Sequence, residues 1–543
     1  MLLELGEEAA LEEPRERLFI RDKMDKYDIA MIGAHHKSDS GVVATEPAGL
    51  STNRPARIRW TGVVDSVIFG FLLLFAMTLP HSIKGAERSW KIAFTLWLLK
   101  LFIDRTRPFR QSLVVPLLAY VSLSAVSTLL SPDPYLSWDR MKFVCLFLAG
   151  IVVAQNLKRI SQVRWLVLVL VFSGFGAALH TGWQYTYGVG VRLVDLPASS
   201  PLARAGLQRG DLVTSVNGHS VHTPEQLQRV VAPLSPNTRV PVRYVPGLAL
   251  QPTTTSATAG EFLQSGLGTP SLRLGRGRPF RAQGTLGHYV IFAEMLMQIG
   301  CMAWALLLGS ERGKLALRVG IGLGFAGITA ALFLTETRAA LGGLVLGCLA
   351  SLMMLSGRRT RILAIATLIV IVAGATLWIR HARRTEWINR NDSGTQFRVL
   401  MWKDGLRLVG QHPWFGVGME TVRVHFRDWN IHGFIQYNVR SHFHSTFLQI
   451  AVERGIPALL AWLWFCGAYL IFLLRLIARS SGREGFACSV AVGALAGFVA
   501  FTFTSFFHYN LGEESLAMIF FFYFGLAVAI DRLLPTPGTF DVA

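Results

Sequence analysis

The sequence is poor in charge, in cysteine and in the short signatures of membrane hydrolases. Only 16% of its 543 residues are charged, against 52% hydrophobic. That balance is too apolar for a soluble chain of this length. The five cysteines (Cys145, Cys301, Cys348, Cys466 and Cys488) all fall in apolar runs, so they read as small core residues rather than as disulfide or zinc partners. No His-Glu-x2-His run occurs, and His288 and Glu294 stand six apart, which excludes the zinc helix of a membrane metalloprotease. A Gly-x-Ser-Gly run, which an intramembrane serine protease needs, is missing as well. Residues 1–58 hold no apolar stretch of the kind a removable leader carries, so the first membrane helix is expected to direct insertion itself.

What the chain has in quantity is long apolar runs, with a mean hydropathy of +0.41. A membrane-crossing helix takes about 20 mainly apolar residues. Such runs lie at 62–80, 89–104, 112–131, 140–156, 163–185, 286–308, 316–334, 338–356, 361–379, 455–476, 485–507 and 514–533. The expected fold is therefore an α-helical polytopic membrane protein with about twelve transmembrane helices. The short connections DRTRPFR, LKRISQVR, GSERGKLALR, SGRRTR and ARSSGRE are rich in Lys and Arg. The alternate connections SPDPYLSW, HYNLGEE and the tip around TETR are acidic or nearly neutral. By the positive-inside rule both termini are then cytoplasmic, and two long segments, about 186–285 and 380–445, lie outside. The net charge of +19 partly expresses this bias and is no sign of a nucleic-acid partner.

The expected organisation is a disordered cytoplasmic tail (1–58), five helices (59–186), an outer module (187–248) and a linker (249–280). Four more helices (281–379), an outer loop (380–445), three last helices (446–535) and a short cytoplasmic tail (536–543) complete it.

In the module, β-rich runs (VRLVDL, DLVTSVNG, VPVRYV) alternate with helical ones (SPLARAGL, TPEQLQRVV). Thr223 before Pro224 and Glu225 forms a helix start, and Asn217-Gly218 a tight turn between strands. The run SPLARAGLQRGDLVTSVNG resembles the core of a bacterial PDZ domain. That resemblance implies a small α+β fold and a groove in which a peptide adds as a strand. Tyr187, Gly188, Val189 and Gly190 then stand where such domains hold a peptide carboxylate on backbone amides. A Pro/Thr/Ser/Gly-rich stretch (251–270) leads back to the membrane.

The outer loop opens on RHARRTEWINR, with Arg380, Arg383, Arg384 and Arg390. Arginines here suit lipid headgroups at an interface or the phosphates of a phosphorylated lipid, whose oxygens the guanidinium fork matches. Next come Arg398 and Trp402 on an amphipathic stretch, then Pro413, Gly416 and Gly418 in a tight loop, then SHFHSTFLQIAVERG. Together with FRAQGTLGHYVIFA (280–293) and LTETRAALGGLVLG (334–347), this order resembles the O-antigen ligase and polymerase superfamily of membrane glycosyltransferases, whose architecture is GT-C-like.

The resemblance implies transfer of a glycan from an undecaprenyl-diphosphate carrier to a sugar hydroxyl of lipid A–core, with no metal, nucleotide or other cofactor. A leaving diphosphate calls for cationic groups, and an acceptor hydroxyl gains from a histidine base. By motif position Arg338 and Arg398 match the diphosphate-contacting arginines and His444 the base. Ser445 stands where the family has Asn, and His442 is the alternative base. Arg281, Trp402, Arg383, Arg384 and His442 are the expected substrate-binding set, with His288 secondary and Glu453 outside the chemistry.

Expected partners are the lipid-linked donor, the lipid A–core acceptor, membrane lipids and a peptide or protein ligand of the module. The expected location is a bacterial inner membrane with the active site on the periplasmic face. Chain polymerisation and O-linked transfer to protein share these motifs, and a non-enzymatic membrane scaffold of envelope assembly is the reading from another class. Transport ranks low, because the helix centres carry few charges.

Overall fold

The computed structural model describes residues 56–104, 112–196, 201–245, 253–263, 273–277, 281–309, 315–355, 393–437, 442–482 and 485–535, with a few single positions between 357 and 369. The expected N-terminal tail up to residue 55, most of the expected span 361–379, Arg383 and Arg384, and the last residues 536–543 lie outside the described residues.

The apolar runs fold as helices. The first group is α1 (Ala56–Thr78), α2 (Ile83–Asp104), α3 (Val114–Leu129), α4 (Pro134–Val144), α5 (Phe147–Asn156) and α6 (Ile160–Tyr187). Asp133 opens α4 by accepting the Leu136 N–H at 3.1 Å, with Pro134 in the first helical position, where its missing N–H costs nothing. The run 140–156, expected as one span, is broken by a turn at Cys145 and Leu146. At about 1.5 Å rise per residue, neither α4 nor α5 alone crosses a bilayer of about 30 Å.

The inserted module follows. It comprises β1 (Gly190–Asp195), α7 (Pro201–Arg204), β2 (Leu212–Val216), β3 (His219–Ser220), α8 (Pro224–Val231), β4 (Arg239–Val245), β5 (Thr253–Thr258), α9 (Ala259–Leu263) and β6 (Arg273–Gly277). Thr223 caps α8 through the Gln226 N–H. Asn217 and Gly218 both have positive φ, 51° and 80°, which is the turn their sequence announces. The strands run in the order β5-β4-β2-β1-β6, with β3 beside β2. Inward residues such as Val191, Leu193, Val213, Leu227, Val240 and Val242 are fully buried, each stabilising the module by about 1.5–3 kcal/mol.

Two expectations for this region change. The stretch 249–280, read as linker, supplies two strands of the same sheet and the short helix α9. And Tyr187–Gly190 is not an open carboxylate cradle. Tyr187 ends α6, Gly190 opens β1, and the Val189 N–H already donates to the Gly277 carbonyl at 3.0 Å. The physical reason is that α6 runs straight into β1, so the strand beside β1 comes from the return segment. β6 pairs antiparallel with β1 from Gly190 and Gly277 to Asp195 and Arg273.

The second half contains α10 (Tyr289–Gly309), α11 (Leu315–Leu334), α12 (Arg338–Leu355), α13 (Ser393–Gln411), α14 (Thr421–Val424), α15 (His432–Tyr437), α16 (Thr446–Ser480), α17 (Gly485–Thr504) and α18 (Glu514–Leu533). Seven helices among the described residues are long and apolar enough to cross a membrane: α6, α10, α11, α12, α16, α17 and α18. Shorter apolar stretches lie at Gly62–Thr78 and Val114–Leu129. Together they make a multi-pass membrane protein. Contacts are tight where small residues face each other. At Gly150 of α5 and Gly525 of α18 an added Cβ would meet the other helix's backbone, as expected where dispersion rather than water exclusion drives association. A separate apolar cluster (Met401, Leu408, Val417, Val422, Ile431, Phe434, Phe443 and Val452 among its members) holds α13 to α15 against the start of α16.

Candidate functional site

The loop motif Pro413-x2-Gly416-x-Gly418 and the run Gln449 to Gly455 turn out to be two halves of one joint. Helix α16 is broken at Gly455, where φ is +83° and ψ 170°, two residues before Pro457. At this break the loop docks backbone to backbone. Val417 N–H donates to the Val452 carbonyl (2.9 Å), Gly418 N–H to Glu453 (2.9 Å), and Ile456 N–H to Pro413 (2.7 Å). An added Cβ at Gly416 would strike the Glu453 backbone, and one at Gly455 the Trp414 carbonyl. Glu453 ties the two halves of the joint together. One carboxylate oxygen accepts the Glu420 N–H at 2.9 Å and the Gln449 amide at 2.8 Å. Beside it, Arg454 donates to the Tyr509 hydroxyl at 3.0 Å.

Just ahead of α16 the two histidines meet. The His442 and His444 rings lie 4.5 Å apart, edge to face. The His444 N–H donates to His442 Nδ1 at 3.2 Å, and His444 sits in the left-handed region with φ 51°. For a non-glycine residue that conformation costs about 1–3 kcal/mol, and such strain clusters at functional sites. Ser445 is the N-cap of α16, its hydroxyl accepting the Leu448 N–H. Asn and Ser are both good N-caps, so the departure from Asn keeps that role. The Nε2 atom of His444 is buried without a hydrogen-bond partner among the described residues, and its ring rests against Phe397 of α13 at 5.5 Å.

A third histidine completes the group, and sequence reasoning missed it. The His508 ring is 5.3 Å from His442, and its Nδ1 is 3.0 Å from Oε1 of Glu294, which is 1% exposed in the second turn of α10. The Thr504 hydroxyl donates to the other Glu294 oxygen at 3.1 Å. Asn510 donates to Thr504 at 3.0 Å and accepts from Thr446 at 2.8 Å. The available signal was Glu294 itself, an acid within an apolar helix.

The arginines are placed as follows. Arg398 is exposed on α13, near enough that its charge acts on both His444 and His508. Arg338 is exposed at the first position of α12. Arg281 lies 4.6 Å over the Tyr289 ring, and His288 stacks on that same ring at 5.2 Å. The segments of Arg281 and Arg338 are joined by the Ala282 N–H donating to the Leu334 carbonyl at 3.0 Å. Trp402 is half-buried, its indole N–H without a hydrogen-bond partner among the described residues.

Burial, then the charge of Arg398 and then that of His508, push the His444 imidazole down to about 3. Burial and then the neighbouring His444 push His442 well below the ordinary histidine value. Burial lowers His288 also. His508 goes the other way: burial opposes its protonation, but the Glu294 carboxylate outweighs it and raises the value. Burial raises the Glu513 carboxyl. His442, His508 and Glu513 bring ligand-type atoms within 4.8 Å of one another, a spacing able to hold a metal ion. With His442 Nδ1 accepting an N–H, the neutral ring carries its proton on Nε2, which favours a hydrogen-bonding cluster over a metal centre.

Residues 323–463 match the O-antigen ligase family. That O-antigen-ligase-like region contains Arg338, Arg398, Trp402, the Pro413–Gly418 loop, both histidines and Glu453, and it ends before His508. Residues 198–245 match the PDZ domain family. Over 54 residues the chain is 39% identical to a probable periplasmic serine endoprotease DegP-like of Halomonas elongata; the match covers 10% of this chain and 11% of that protein. The chain therefore shares only about a tenth of that relative's length.

Proposed function

We propose that this protein is an O-antigen-ligase-like glycosyltransferase of a bacterial inner membrane, moving a glycan from an undecaprenyl-diphosphate carrier to a sugar hydroxyl of lipid A–core. The observation that carries the reading is the convergence of His444, strained and with an unpartnered Nε2, with Arg398 inside the region that matches the O-antigen ligase family. His444 acts as the base on the acceptor hydroxyl, with His442 holding its backbone. Arg398 and Arg338 hold the diphosphate, and Arg281, Trp402, Arg383 and Arg384 bind the donor. Both termini are cytoplasmic and the site faces the periplasm, a reading that the basic short loops support.

The depressed His444 value fits this chemistry once the donor is counted. Burial is the main cause of that value and the Arg398 charge the next; a diphosphate beside Arg398 offsets the second and so raises the basicity of Nε2 in part. The protein groups supply charge stabilisation and a proton acceptor, which is the whole requirement of the step.

In a strain lacking the gene, complementation with His444→Ala should leave lipopolysaccharide as bare lipid A–core on a gel, and Arg398→Ala should do the same with normal membrane insertion. Full-length ladders from His444→Ala would remove that residue from the mechanism. The PDZ-type module favours one second reading, a protein acceptor. Intact ladders together with loss of a glycoprotein in the deletion strain would move the acceptor from lipid to protein. A chelator should leave transfer by purified protein unchanged. Inhibition reversed by added metal would assign an ion to His442, His508 and Glu513 instead.

A further inference from the structure

We propose that Glu294 and His508 form the positioning pair of the transfer site, working through His442 on His444. The proposal rests on the transfer reading above. It adds two residues that lie outside the matched region 323–463 and come from different elements, α10 and the loop after α17.

The contact chain is continuous. Glu294 stands 3.0 Å from His508 Nδ1. The His508 ring meets the His442 ring at 5.3 Å and 65°. His442 Nδ1 accepts the His444 N–H. The pair is anchored on both sides: Glu294 by Thr504, and the His508 loop by Asn510, which bonds the Phe501 carbonyl, Thr504 and Thr446. Such cross-linking of α10, α17 and the start of α16 is more than one buried carboxylate needs for solvation.

The physical logic runs from Glu294 outward. A carboxylate buried to 1% exposure needs a cationic partner, and His508 supplies it as an imidazolium. Groups facing His508 are Glu294 from α10, Glu513 ahead of α18, Arg398 from α13, His442 and His444 ahead of α16, and His288 ahead of α10. The two acids favour its charge; Arg398 opposes it. Burial and the neighbouring His444 keep the His442 ring neutral and an imidazolium at His508 adds to this, so its Nδ1 lone pair stays available to the His444 N–H. That bond offsets the cost of the left-handed backbone at His444, whose Nε2 has no hydrogen-bond partner among the described residues. The pair thus links protonation of His508 to the geometry of the base.

The test uses full-length protein in detergent, with glycan transfer from a lipid-linked donor followed between pH 6 and 9. His508→Gln should lower kcat by about 100-fold, the scale of losing one preorganised group, with the KM for donor little changed. Glu294→Gln should move the alkaline limb of the kcat profile down by about one pH unit, since the imidazolium loses its counter-ion. Glu294→Asp, which keeps the charge, should restore much of the limb. Folding is followed by thermal melting. If Glu294→Gln does not fold, Glu294→Asp is read for a smaller displacement of the same sign. An unshifted limb in the folded variants overturns the pairing, whatever the loss of rate. His444→Ala is run alongside: if it remains active, the transfer reading fails, whereas a dead His444→Ala with a fully active His508→Gln sinks only the positioning pair.

Discussion

Ser445 and His444 divide the work that the motif assigns to neighbours. Ser445 starts the helix, and His444, one residue earlier, takes the left-handed backbone that turns its ring out of the helix line. Protonation ties this arrangement to pH. His442 and His444 are held neutral by burial, so their folded values lie below the unfolded one. Their contribution to stability is present above the ordinary histidine value and is lost as pH falls, for His444 over the window from 6.5 to about 3. His508 has the opposite sign: raised in the fold, it contributes fully below the ordinary value and loses that contribution as pH rises through the raised one. The melting temperature of wild-type protein should therefore drop between pH 7 and 5, and His444→Gln should flatten that drop. Parallel melting curves for the two proteins would refute the burial account. His444 and Arg398 stand out in the sequence as candidates because their neighbours have a fixed order. His508 does not: its partner Glu294 lies 214 positions earlier (508 minus 294), and no local spacing encodes such a pair.

At the level of elements, the apolar runs predicted helices well, because about 20 apolar residues leave few alternatives. Interruptions were harder. The break in α16 depends on Gly455 meeting a loop some forty residues earlier, and the sequence run reads equally well as a helix beginning there. Taken at about 1.5 Å per residue, the 35 residues of α16 exceed a bilayer's thickness, so the turns before Gly455 belong to the site rather than to the span. Gly455→Ala should be severely destabilising. It combines a cost of about 1–3 kcal/mol for a side chain in this essentially glycine-only backbone region with a collision against the Trp414 backbone, and the freed loop would carry Glu420 away from Glu453. Gly467→Ala, further along the same helix with nothing within 4 Å of the added Cβ, should be neutral or gain up to about 1 kcal/mol. Melting of both variants in one detergent checks this, and equal effects would rule out the joint.

Across the whole molecule, the module is tied into the candidate site by its last strand. β6 offers almost no strand signal: RLGRG has two glycines and no alternation, which is why 249–280 read as linker. Yet β6 closes the sheet edge beside β1, and four residues after it Arg281 opens the segment that bonds Leu334 and leads to His288. The Ala282 N–H bonds the Leu334 carbonyl, so displacing β6 is expected to disturb Arg281 and the start of α12 with Arg338. Gly277→Val tests this coupling, because a side chain there collides with Leu212 of β2 and expels the strand. Amide exchange along β1 and β6 should rise, and glycan transfer should fall while the membrane helices melt as in wild type. His219→Ala, on exposed β3 away from that pairing, should change neither. If Gly277→Val frees the strand and transfer is unaltered, β6 merely closes a sheet. If exchange rises and transfer falls, the module sets the geometry of Arg281, and a peptide that competes for the β6 edge becomes a means of controlling transfer.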